Sequence, residues 1–394
     1  MIRRWRDCSW QPGNVRLNGL TLPGEIFEVW IWLVPAFLIG ACIGSFLNVA
    51  IYRVPLGLSV NEPKRSFCPS CRTTIPLRFN IPLVSWLCLR GKCAECRAPI
   101  PFRYFGVELL TAVLFAVTWW LFPTIVVIPL WVGIALWVAI TFIDIEHLVI
   151  PTGFTWAGVA AGVAGALLWP RLPALAGAEP GGWIDGLIHS AIGWAAGFFG
   201  LWGVVELGKL AFGRRRATFG EAAAWELREP TNDVDPILLV IDGEEVPWWD
   251  MFSRKSDQLI LECTAITLDG RDLSGGTLVI REQSITLPDG AERRLEDIRS
   301  LSGKAVSVVI PREAMGFGDV HLMGMIGAFF GWGGVLFTLF SSSLFAVAAA
   351  LACRIGFGKQ LPYGPFLVMG ALAWAFGGWK LAEWYLHFIA PPVL

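Results

Sequence analysis

Long apolar runs limit what this chain can become more than any other feature. Segments 27–51, 107–122, 124–143, 154–169, 186–211, 320–333, 334–353 and 364–390 carry few charges. A helix needs about 20 apolar residues to cross a bilayer core. Most of these runs are of that order, and 107–122 and 320–333 are short with soft ends. In hydrocarbon every backbone amide must be paired within its own segment, which favours helices. The composition agrees, since 55% of the 394 residues are hydrophobic and 16% are charged. The 21 tryptophans suit many membrane–water boundaries. The expected class is an all-α polytopic membrane protein with about eight transmembrane helices, with the lipid bilayer as a partner. A net charge of −1 gives no ground for nucleic-acid binding.

The runs divide the chain into an N-terminal segment 1–26, a first transmembrane helix 27–52, a polar loop 53–106, helices two to five in 107–212, a polar insertion 213–314, and helices six to eight in 315–394. The first apolar run follows about 25 mixed residues and shows no small-residue cleavage site, so it is expected to stay as an anchor. The 53–106 loop holds nine Lys and Arg against Glu62 and Glu95, which argues for the cytoplasmic side. Counting spans from there puts Asp144, the run Arg214–Arg215–Arg216 and Asp319 on that side as well. Arg3, Arg4, Arg6 and Arg16 disagree with this orientation. In the insertion, PILLVI (236–241), QLILECTAITL (258–268), TLVIREQSITL (277–287) and AVSVVI (305–310) read as strands. Asp242–Gly243, Asp269–Gly270 and Asp289–Gly290 read as tight turns, so a small β-rich soluble domain is expected there.

Two sets of residues carry chemistry. FCPSC (67–71) and CAEC (93–96) supply Cys68, Cys71, Cys93 and Cys96, four thiolates at the spacing of a closed, structural Zn²⁺ site. A reducing cytoplasm makes ligands a better reading than disulfides. The second set is acidic. Asp144 ends one span, in TFIDIEHLVIP (141–151), and Asp319 begins another, in GFGD (316–319). Two carboxylates held close at a dry site cannot both ionise, and they share a proton. Such a pair can activate a water and protonate a leaving amide nitrogen. Gly316 and Gly318 let the backbone turn and let another chain approach. His321 follows Asp319 by two residues, as a possible neighbour in the site. A single acid at a span end is often only a boundary residue, and GxGD alone is a short pattern. Glu146 and His147 read as interfacial, and Glu108 as an acid near a helix N-terminus.

Taken in order, IGSFLNVAIYRVP (43–55), the two CxxC pairs, FIDIEHLVIP (142–151), GFGDVHLMGMIGAFFGW (316–332) and LPYGPFLVMGA (361–371) form a combined pattern. It resembles the type IV prepilin peptidases, also called leader peptidase/N-methyltransferases, over nearly all the membrane region. The resemblance implies a membrane aspartic endopeptidase with Asp144 and Asp319 as catalytic acids. It implies cleavage of prepilins or type II secretion pseudopilins after a Gly, on the cytoplasmic face of the bacterial inner membrane. It also implies S-adenosylmethionine-dependent methylation of the new N-terminus.

Three departures from the family pattern stand out. Pro151 is followed by Thr152, where an Asp is usual. His321 stands where a Lys is usual, and is a weaker permanent cation. The 213–314 insertion is far longer than the usual connection, and its partner is unknown. Two alternatives compete with this reading. One is a non-methylating GxGD intramembrane peptidase of another substrate class, against which the first motif and the CxxC pairs argue. The other is a cation transporter using the two Asp, which requires more polar residues in mid-span than this chain has. No Gly-rich nucleotide-binding unit marks a methyl-donor site.

Overall fold

The computed structural model describes residues 25–63, 65–122, 124–174, 182–212, 214–228, 237–252, 257–311, 316–354 and 361–389. The basic residues expected at 3, 4, 6 and 16 lie outside the described residues, as does Lys64. The chain forms two compact units, Met1–Trp202 with Phe317–Leu394, and Gly203–Gly316.

The first unit is helical. Its elements are α1 (Glu25–Arg53), α2 (Phe102–Leu121), α3 (Thr124–His147), α4 (Thr152–Leu168), α5 (Trp183–Phe212), α6 (Phe317–Ala352), α7 (Gly364–Ala373) and α8 (Trp379–Ile389), with α5 running on into the second unit. Six runs are long and apolar enough to cross a membrane: Ile31–Arg53, Phe102–Leu121, Ile125–His147, Trp183–Gly208, Phe317–Ala352 and Gly364–Tyr385. The described residues do not confirm the expected count of eight spans, for two reasons. The expected spans 320–333 and 334–353 form one helical run, because no polar residue between them makes a loop. Its 36 residues would reach about 54 Å if straight, well beyond a bilayer core of about 30 Å. The run is interrupted at Gly331, where φ is 66° and a Cβ would lie 2.0 Å from the Pro173 carbonyl oxygen. The second reason is α4, a largely apolar helix whose 17 residues stand at the lower limit of a crossing. The last run is also broken, at Trp374–Gly378, where Phe376 and Gly377 leave helical geometry.

Missing side chains set the closest helix contacts. A Cβ on Gly44 would sit 2.7 Å from the Glu108 Cα, and one on Gly40 equally near the Ala112 Cα, so α1 and α2 meet backbone to backbone. Between α5 and α6, Gly193 and Gly327 face one another, each with no room for a methyl group against the other's carbonyl oxygen. Lipid tails are as apolar as leucine, so close approach of this kind is what holds membrane helices together.

The second unit is one antiparallel sheet. Its strands are β1 (Arg214–Arg228), β2 (Leu238–Ile241), β3 (Glu244–Pro247), β4 (Leu259–Leu268), β5 (Arg271–Ile280), β6 (Ser284–Thr286), β7 (Glu292–Arg294) and β8 (Leu301–Pro311), in the order β3-β2-β1-β8-β4-β5-β6-β7. Asp242–Gly243 and Asp269–Gly270 have positive φ at both residues and close the β2–β3 and β4–β5 hairpins. Trp225, Leu239, Leu261, Ile266, Leu278, Ile285 and Val308 form its buried core. The expected strand 277–287 is split, its first part ending β5 and its last forming β6. β1 and β8 are neighbours inside the sheet, and Arg214 is the register partner of Pro311. The first and last strands of the unit thus begin and end side by side.

Gly193→Val drives a branched side chain into the Gly327 backbone. The expected cost is about 1–3 kcal/mol or more. It should appear as a lower thermal midpoint in detergent, whereas Gly200→Val, with open space at that position, should leave the midpoint unchanged.

Candidate active site and cysteine cluster

Asp144 lies in the last turn of α3, and Asp319 in the first turn of α6. Both are buried, at 5% and 7% exposure. The Asp144 Oδ2 accepts the backbone N–H of Gly364 at 2.9 Å. Gly364 opens α7, with Pro365 in the first turn, so a helix N-terminus is directed at the carboxylate. A side chain at 364 is excluded, since a Cβ would stand 2.7 Å from that same oxygen. After α3 the chain turns sharply at Leu148, with φ of 54°, and this brings Ile150 back over the acid. Ile150 then touches both flanks. A Cβ on Gly318 would lie 2.7 Å from the Ile150 Cβ, and one on Gly364 3.3 Å from its Cδ1. The segments carrying the two acids therefore meet on one isoleucine, and Gly318 and Gly364 are the residues that let them.

The other residues singled out in the sequence separate. Gly316 is exposed, just ahead of α6. His321 stands two residues past Asp319, about 200° round the helix, and its ring packs among Trp156, Phe198 and Phe317 at 6.1, 5.2 and 5.1 Å. It faces α4 and α5, whereas the Ile150 contact is on the Gly318 side. Glu146 pairs with Arg103 at the start of α2. Gly364, Ile150 and Tyr363, whose hydroxyl meets Ser342 and Ser343, were not singled out by residue chemistry. The one local signal was Gly-Pro in LPYGPF, which marks a helix start.

The four cysteines converge. Their sulfurs all lie within 4.8 Å of one another, with Cys68 Sγ 3.8 Å from Cys96 Sγ. Four thiolates at about 2.3 Å around a tetrahedral Zn²⁺ put sulfurs about 3.8 Å apart, so this donor set fits. The two pairs have the same backbone frame. Cys68 donates its N–H to Thr73 and accepts that of Arg72, and Cys93 does the same with Ala98 and Arg97. Arg72 and Arg97 follow each pair with φ of 57° and 60°. The thiols differ in proton affinity. Hydrogen bonds from the Thr73 side chain and backbone bring Cys71 down to about 6. The amides of Cys96 and Glu95 lower Cys93. For Cys96 the Ala98 amide pulls down, but burial and the three neighbouring thiols push it up to about 11.

Comparisons with known proteins fall on these regions. The profile described as "Bacterial Peptidase A24 N-terminal domain" matches residues 38–122, and that described as "Type IV leader peptidase family" matches 298–351. A prepilin leader peptidase/N-methyltransferase of Aeromonas hydrophila is 36% identical over 220 residues, covering 49% of this chain and 70% of that protein. One from Dichelobacter nodosus is 33% identical over 235 residues, covering 51% of this chain and 75% of its own length. One from Myxococcus xanthus is 44% identical over 142 residues, 36% of this chain and 41% of that relative. No solved structure matches the chain.

Metal binding to the cluster must displace the protons held at neutral pH, above all the one on Cys96. Zinc loading should release protons, and affinity should fall as pH drops. Replacing Cys68 and Cys71 by Ser should leave less than stoichiometric zinc on the purified protein, measured by elemental analysis. Unchanged metal content would refute the ligand assignment.

Proposed function

Because this chain belongs to the prepilin leader peptidase/N-methyltransferase family, we propose that Asp144 and Asp319 are the acids with which it removes the leader peptide of prepilins. The observation that carries this assignment is the meeting of two buried carboxylate-bearing segments on Ile150, with Asp144 held by the Gly364 amide. A water between the acids attacks the scissile carbonyl carbon. One carboxylate takes the water proton and the other gives its proton to the leaving nitrogen. The Gly364 N–H needs an unprotonated acceptor, so a proton resting on Asp144 sits on Oδ1. The tight Gly318–Ile150 contact fixes the start of α6 and thereby Asp319. Gly316, exposed and without a side chain, leaves room for an extended peptide, and His321 shapes the base of α6 from within its aromatic enclosure.

The substrates are prepilins or type II secretion pseudopilins, met at the cytoplasmic face of the bacterial inner membrane, where the arginines and lysines of 53–106 also lie. Cys68, Cys71, Cys93 and Cys96 hold structural Zn²⁺, which leaves no open position for water and takes no part in hydrolysis. The metal fixes a loop too short and polar to hold a core alone. S-adenosylmethionine, when bound, supplies the methyl group for the new N-terminus. The insertion 213–314 is accessory to cleavage. Its paired ends support that role, because register partners in an antiparallel ladder are only about 5 Å apart.

Asp144→Asn and Asp319→Asn should each reduce cleavage of a co-expressed prepilin by more than about 100-fold, read by mass spectrometry. Zinc content and thermal midpoint should stay at wild-type values. Substantial cleavage by either variant would remove the two-acid assignment. Joining residue 213 to residue 312 through two or three glycines should leave cleavage of a short leader peptide within about threefold of wild type. Loss of cleavage in a folded, zinc-loaded deletion protein would make the β-sheet unit part of the machinery.

A further inference from the structure

Among the described residues of the helical unit, hydrolysis leaves one buried acid without a role. Glu108 lies two turns inside α2, is 9% exposed, and sits where Gly44 brings the α1 backbone against it. An acid within a span is costly unless something answers it. Its Oε2 accepts the Leu83 N–H at 2.6 Å, and the Ser45 hydroxyl also donates to it. Among the described residues no cation pairs with it. The nearby Arg53 is spent elsewhere, its guanidinium donating to the carbonyls of Ser59, Val60 and Pro63.

Asn48 supplies an independent observation. It is 3% exposed, and its side-chain N–H₂ donates to the Tyr104 carbonyl at 3.0 Å. That carbonyl can only accept, so the orientation of the amide is fixed and Oδ1 points the other way. Oδ1 is buried without a donor. Asn48 and Glu108 line the same cavity of about 220 Å³, enclosed by α1, the start of α2 and the cysteine loop. Tyr52, Trp86 and Phe105 contribute aromatic surface to it. A carboxylate, an unused carbonyl and aromatic faces match an organic cation, and Arg53, which also lines the cavity, has its guanidinium engaged by loop carbonyls.

We propose that this cavity binds an ammonium or sulfonium group, with Glu108 as its counter-charge and Asn48 Oδ1 as an acceptor. The inference rests on the methyl-transfer part of the function above, which brings two such cations to the enzyme. One is the sulfonium of the methyl donor, and the other is the α-ammonium of the newly exposed N-terminus. Both present a positive centre at the atom that gives or receives the methyl group, and no residue lining the cavity belongs to α3 or α6. Methyl transfer and hydrolysis therefore have separate walls in one protein.

The test uses the full-length, zinc-loaded protein in detergent and equilibrium dialysis. Two pairs of probes separate the sources. Sinefungin carries an ammonium where the donor has its sulfonium, and S-adenosylhomocysteine is neutral there. A short Phe-initiated peptide is offered with a free or an acetylated N-terminus. Wild type should prefer the charged member of one pair by about tenfold or more, and that pair names the source. Glu108→Gln keeps an acceptor for the Leu83 amide but removes the charge, and should abolish the preference. Val49→Phe fills the cavity from α1, leaves both acceptors in place, and should weaken both members of the pair. It carries the test if Glu108→Gln fails to fold. A preference unchanged in the variants, with methylation of the free peptide by wild type intact, would overturn the pocket and leave the methyl-transfer reading standing. No binding of any probe and no methylation by wild type would remove both.

Discussion

The hydrogen bond from the Gly364 amide to Asp144 joins parts of the chain 220 residues apart, and much of the helical unit is arranged so that it can form. A buried carboxylate needs donors, and a helix N-terminus has amides to give. Placing α7 against the end of α3 meets both needs at once. The arrangement demands glycine at 364, where any side chain would displace the acid, and an abrupt turn at Leu148 that brings the chain back beside it. It also places Ile150 between Gly364 and Gly318. The glycine of GxGD that precedes the aspartate therefore has a packing reason besides any contact with substrate. It is the point where α6 closes on the α3–α4 turn.

A second constraint acts further from the acids. Lipid gives helices no hydrophobic reason to associate, so their cohesion depends on contact area and close approach. The contacts of Gly40 and Gly44 with α2, and of Gly193 with Gly327, provide it. These contacts also hold functional groups. Gly44 sets α1 directly over Glu108, and Gly324 and Gly327 set α6 against α5 so that His321 enters an aromatic enclosure. Polar residues of the first motif then tie α1 to its neighbours, Asn48 to the Tyr104 carbonyl in the first turn of α2 and Arg53 to three carbonyls of the loop.

How much could be read in advance depended on the range of the interaction. The apolar runs, the CxxC pairs and the Asp-Gly turns are local signals, and the helices, the thiol cluster and two of the hairpins follow from them. The strand β1 was missed because RRRATFGEAAAWELR has Thr218 as its one β-branched residue and no sustained alternation; it is held by β8 and β2, not by its own propensity. The eight-span count is not confirmed where glycine breaks a helical run without a loop, at Gly331. Ile150 and Gly364 were invisible as site residues because their roles exist only once α3, α6 and α7 meet. Glu108 read as a boundary acid because hydropathy alone cannot tell an exposed helix start from one covered by a folded loop.

Coverage by that loop bears on how two chemistries fit in one chain. Peptide hydrolysis by paired acids needs a water and a leader peptide brought to the ends of α3 and α6. Holding the organic cation proposed above needs a pocket whose carboxylate is screened from water, since a carboxylate open to water attracts a cation only weakly. The helices alone cannot enclose such a pocket at their ends, and the 53–106 segment is too polar to form one without help. The cysteine cluster provides that help, pinning two matching knuckles beside the cavity, with Cys68 and Cys93 both on its wall. Loss of a metal held by the four cysteines should therefore reach the proposed cation cavity before it reaches the acids, because Asp144 and Asp319 are held by Gly364, Gly318 and Ile150, none of which lies in the loop.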